Sequence, residues 1–109
     1  MKTYKEGSKG WETSAKVLDT CDADGLVAKL AKVEKAETQM LFIDTMYKIL
    51  SSDSSYMRYG ASVTAVQIRN QQRERVSQWG EKAFCLSEAQ LGVVACDLVS
   101  LKNTKVEEE

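Results

Sequence analysis

The chain is 109 residues long, with 43 % hydrophobic and 28 % charged residues and a formal net charge of −1. That length suits one domain with its own core, and the composition argues against wholesale disorder. The near-neutral balance excludes a protein drawn as a whole to nucleic acid or to an anionic membrane, and no apolar run approaches the roughly 20 residues needed to cross a bilayer.

Residues 1–10, MKTYKEGSKG, are polar and punctuated by glycine, and are expected to form a flexible arm. Trp11, Ala15 and Leu18 then share a helical stripe, which predicts a short first helix ending near Asp19–Gly25. There Asp22 or Asp24 can cap the next helix by accepting from one of its free amides. Leu26, Leu30, Val33, Ala36, Met40, Ile43, Tyr47 and Leu50 recur at steps of three and four, predicting a single long helix over about 25–51. Such a helix would be roughly 40 Å long, longer than a small domain is wide. Either an elongated molecule or a second copy is therefore expected to cover it. Asp44 and Lys48 stand one turn apart on this helix and are expected to pair.

Ser51–Ser55 reads as a turn into a third helix that runs to Trp79 and stops at Gly80, with its start near Gly60 left open by the pattern. On a helical wheel Met57, Ala61, Ala65, Ile68, Gln72 and Trp79 fall on one side, assigned to the core. Tyr56, Tyr59, Val63 and Val66 form a second apolar side. The last helix is announced by Ser87 and Gln90 at capping-box spacing, with Leu86 and Leu91 placed as a hydrophobic staple. Leu91, Val94, Leu98 and Leu101 mark its buried face. Ala89, Gly92 and Cys96 form a small-residue strip where another helix is expected to cross closely. Residues 103–109, NTKVEEE, are expected to fray as an acidic tail. The expected fold is all-α: a small antiparallel bundle of about four helices occupying 11–102, one of them long (about 25–51), completed by dimerisation.

Chemistry is limited by what is missing. There is no histidine, the side chain most used for proton transfer near neutral pH and for zinc binding. Cys21, Cys85 and Cys96 are dispersed, with no Cys-x-x-Cys pair. Their odd number and the lack of a signal-peptide pattern point to free thiols in a cytoplasmic protein. TCDADG, residues 20–25, has the acids of a calcium loop only in part, because Thr20 and Ala31 stand where its first and twelfth ligands belong. The sequence therefore predicts no metal, no cofactor and no catalysis.

Charge is segregated instead. All four arginines, Arg58, Arg69, Arg73 and Arg75, lie in the 54–80 segment, which carries +3, whereas residues 81–109 carry −3. Arg58, Arg69 and Arg73 fall within about 60° of one another on the wheel. The like-charge pair Arg69 and Arg73 needs relief from outside its own helix. Three uses compete for this belt: a solvated face with an intramolecular carboxylate nearby, for instance from the second helix; a protein interface; or phosphate recognition. The functional expectation is a non-enzymatic protein–protein interaction module, a stoichiometric adaptor or inhibitor, with a virus-encoded inhibitor of a host nucleic-acid-handling complex as one concrete version. Its contact residues are expected to be Tyr56, Arg58, Tyr59, Val63, Val66, Arg69 and Arg73, and its partner another protein, including a second copy of itself. The alternative is a nucleic-acid or nucleotide-phosphate binding module using the arginines of 58–75.

Overall fold

The computed structural model describes residues 2–52 and 62–103, and among them the chain forms five α-helices and no strand. These are α1 (Lys9–Thr20), α2 (Ala23–Ala31), α3 (Ala36–Ser52), α4 (Val63–Trp79) and α5 (Glu88–Asn103), with a 3-10 turn at Gly80–Lys82 between the last two. Local chemistry starts most of them. Asp22 Oδ1 accepts from Gly25 N at 2.8 Å, and Ser62 Oγ accepts from Ala65 N at 3.1 Å. Ser87 and Gln90 make the reciprocal capping box, with Ser87 N donating to Gln90 Oε1 at 2.9 Å and Gln90 N to Ser87 Oγ at 3.2 Å. Each bond satisfies an amide that the helix itself leaves open. Gly80 ends α4 at φ +54°, a conformation that side chains with a Cβ resist.

The single helix expected over about 25–51 is two helices, broken at residues 32–35. In the break Lys32 N donates to Lys29 O at 3.3 Å and Val33 N to Leu30 O at 3.1 Å, three-residue steps that tighten the turn and end it. Side chains from elsewhere occupy the polar backbone there. Gln39 Nε2 donates to Leu30 O at 3.0 Å, and the Cys85 thiol lies 3.5 and 3.4 Å from Val33 O and Glu34 O. The apolar rhythm survives because each half buries its own stripe: Leu26 and Leu30 in α2; Ala36, Met40, Ile43, Tyr47 and Leu50 in α3. At 17 residues, α3 is about 25 Å long. The need for a second copy to hide a 40 Å helix disappears with it.

α2 packs chiefly on α5, α1 lies on α3, and α4 contacts both α3 and α5. Leu26, Ile43, Met46, Leu91, Val94 and Leu98 form the driest part of the shared core. The radius of gyration, 13.3 Å, is that of a compact chain of this size, about 13 Å for 100 residues. Lys102, in the last turn of α5, donates its ammonium to Leu18 O at 2.9 Å and Cys21 O at 3.2 Å. It thereby supplies the cation that α1 lacks at its own C-terminal end.

Two expectations change at this level. Residues 2–8, expected to be loose, are laid on α3: Tyr4 N donates to Thr45 Oγ1 at 2.9 Å, and the Tyr4 and Phe42 ring centroids are 5.1 Å apart. A Cβ at Gly10 would collide with the Tyr4 ring. Conversely, among the described residues no helix crosses closely at Gly92, where an added Cβ meets no atom within 4 Å. Among the described residues, then, Gly92 is a mid-helix glycine whose backbone freedom brings no packing in return. Gly92→Ala is expected to raise the unfolding free energy by about 1 kcal/mol, read from the urea midpoint. A lowered midpoint would mean that the strip is covered after all.

Candidate functional site

Of the seven expected contact residues, Tyr56, Arg58 and Tyr59 lie outside the described residues. Val63 and Val66 open α4 and are exposed, Val63 by 73 %. Arg69 and Arg73 turn the other way. Arg69 is only 8 % exposed, and its Nε and Nη2 donate to Asp44 Oδ1 at 3.2 and 3.1 Å. Arg73, half-buried, donates from Nε to Asp44 Oδ2 at 2.9 Å and from Nη2 to Oδ1 at 3.4 Å. One buried carboxylate of α3 thus relieves the like-charge pair of α4. Asp44 was expected to pair with Lys48, yet the Lys48 ammonium reaches Thr3 Oγ1, at 3.4 Å.

The network continues inward. The Arg69 guanidinium carbon stands 3.6 Å from the centroid of the Tyr47 ring, a cation over a negative aromatic face. Tyr47 Oη donates to Asp97 Oδ2 at 2.7 Å, and Asp97 Oδ1 accepts from Ser62 N at 3.0 Å, at the first turn of α4. Burial, reinforced by the hydrogen bond to Asp97 and by that residue's charge, pushes the Tyr47 phenol far above its ordinary value. Two carboxylates and two guanidiniums therefore knit α3, α4 and α5 together. No buried side-chain nitrogen or oxygen among the described residues lacks a hydrogen-bond partner, so the network is a satisfied internal joint.

The surface feature that stands out lies at the other end of α4. Ala65 and Gln72 are buried as the wheel predicted and Ile68 is partly covered, but Trp79 is 56 % exposed. Its angular phase matches the core side, yet more than half of the residue is open to solvent. The chain then reverses through Gly80–Lys82 and sets Phe84, 89 % exposed, beside it. Gln72 Nε2 donates to Phe84 O at 2.6 Å, which pins the Phe84 backbone to α4. Between the rings runs a shallow groove of about 430 Å³ lined by Arg75, Trp79, Lys82, Ala83, Phe84 and Cys85. Burial pushes the Cys85 thiol above its ordinary value, which keeps it in the poorly nucleophilic protonated form.

Sequence reasoning missed this edge for two reasons. Phe84 sits in a connection outside any periodic run, and a wheel assigns a side of the helix without showing what packs against it. The available signal was the aromatic left over between the Gly80 stop and the Ser87 cap. Among the described residues no three His, Cys, Asp or Glu side chains gather to hold a metal ion, and no helix is long and apolar enough to cross a membrane. The chain matches no protein-family model, no curated protein and no solved structure.

Proposed function

We propose that this protein acts by binding another protein, as a stoichiometric adaptor or inhibitor, and not by catalysis. The observation that carries the reading is the pair Trp79 and Phe84, 56 % and 89 % exposed, over a groove walled by Arg75 and Lys82. Tryptophan and arginine are over-represented among the residues that dominate interface energies. Full burial of a phenylalanine side chain is worth about 1.5 to 3 kcal/mol, a gain that Phe84 leaves for a partner. Val63 and Val66 add a smaller apolar step near the opposite end of α4. Recognition of phosphate by the 58–75 arginines finds less support, because Arg69 and Arg73 direct their N–H groups to Asp44. In this reading the helices form an antiparallel bundle, favoured by the short connections between α1 and α2 and between α4 and α5.

A photo-cross-linking residue placed at position 84, and a second at position 12 on the exposed face of α1, test the proposal in the cells that make the protein. Adducts with a discrete protein are expected from position 84 and not from position 12. Equal labelling from both positions would overturn the assignment of the surface.

A further inference from the structure

We infer that the groove between Trp79 and Phe84 receives the acidic segment Val106–Glu109 of a second copy of this chain. The inference rests on the reading of that edge as the binding surface and names its occupant. Charge complementarity is the first support. The walls hold two cations, Arg75 and Lys82, and no carboxylate; Glu74 and Glu81, the acids nearest in sequence, are not among the lining residues. Val106 is followed by three consecutive glutamates, the densest acidic run in the chain. An apolar side chain beside carboxylates is the chemistry that two aromatic faces and two flanking cations accept, with Arg75 able to grip a carboxylate through paired N–H groups.

Reach is the second support, and it decides between one copy and two. Phe84 and Cys85 immediately precede α5, whereas Lys102 is tied to carbonyls at the far end of α1. The 16 residues of α5 separate the groove from Asn103 by about 24 Å. Three residues beyond Asn103 extend at most about 11 Å, and even the six to Glu109 at most about 21 Å of fully stretched backbone, so Val106 cannot seat between the rings of its own molecule. The groove and Asn103 lie toward opposite ends of α5, so the contact between copies is head-to-tail and closes into a ring or stays open, according to the rotation between neighbours.

The test uses the full chain with Trp11→Phe, which leaves Trp79 as the one tryptophan and makes its emission report on the groove. A peptide of residues 103–109 is expected to shift that emission saturably to the blue. Phe84→Ala, a change at an exposed ring that leaves the core intact, is expected to weaken binding at least about tenfold. Added salt weakens it too, since exposed ion pairs are screened as the Debye length falls from about 10 Å at 0.1 M to about 3 Å at 1 M. In sedimentation equilibrium the mass of the full chain should rise with concentration, and that of a chain ending at Asn103 should not. Unchanged Trp79 emission, or identical concentration dependence in the two chains, overturns the inference. If that happens while position 84 still cross-links a discrete protein, the acidic segment is the wrong occupant and the binding reading stands; if cross-linking fails as well, both fall.

Discussion

Replacing Asp44 with alanine is expected to lower the unfolding free energy by about 3 to 5 kcal/mol, out of a total of about 5 to 15 kcal/mol for a domain of this kind. Asp44 is 2 % exposed and is the carboxylate shared by Arg69 and Arg73. Truncating it leaves the buried Arg69 cation without that carboxylate, in surroundings where water cannot replace it. Two controls separate this cause from simple loss of packing. Because the ion group is buried, added salt should change the effect little. In the background Arg69→Met with Arg73→Met, Asp44→Leu should cost much less than Asp44→Ala does in the native chain, since apolar replacement of a whole buried ion group is often nearly neutral. Urea denaturation measures each variant, and a loss below about 1 kcal/mol for Asp44→Ala would place the pair energetically with surface ion pairs.

Above about pH 10 the fold is expected to lose stability by up to about 1.4 kcal/mol per pH unit through Tyr47 alone. In the unfolded chain a phenol releases its proton near pH 10. In the folded chain burial comes first among the causes that hold the proton on Tyr47, followed by its hydrogen bond to Asp97. The unfolded state then binds fewer protons than the native state, so the native state is disfavoured as pH rises. Below about pH 10 both states keep the proton and the contribution is intact. Tyr47→Phe should abolish this slope. At neutral pH it should also lower stability by about 1 to 3 kcal/mol, because Asp97 loses a buried donor. Urea midpoints of both proteins at about pH 8, 10 and 11.5 would show it; parallel curves would mean that Tyr47 reaches solvent in the folded chain.

What was legible in the sequence was local. Asp22, Ser87, Gln90 and Gly80 act on backbone groups within three or four residues of themselves, so their spacing alone announced the helix ends that the structure shows. The break at residues 32–35 was illegible because the apolar steps run through it unbroken. What occupies the backbone there is Gln39 and Cys85, the latter more than fifty positions away. Arg69 illustrates the same limit. Its wheel position lies between the two apolar faces, and only Asp44 and Tyr47, which come to it from α3, make that position an interior one. One clue was available: Asp44 directly follows Ile43 and stands three residues before Tyr47, within the stripe read as buried, and an acid there calls for a cation from another helix. Trp79 has the core phase on the wheel but is 56 % exposed, so the periodicity assigns to the core the edge that now carries the functional proposal.

The ammonium of Lys102 spans 84 positions to reach Leu18 O and 81 to reach Cys21 O. During synthesis the first helix is made early, yet the group that quiets its terminal carbonyls leaves the ribosome only with the last turn of α5, as does much of the surface that shelters Leu26 and Leu30. Contacts so distant along the chain close late and slow the search. A nascent chain lacking residues 88–103 accordingly exposes a half-built interior, and cooperative folding of the described helices waits for α5.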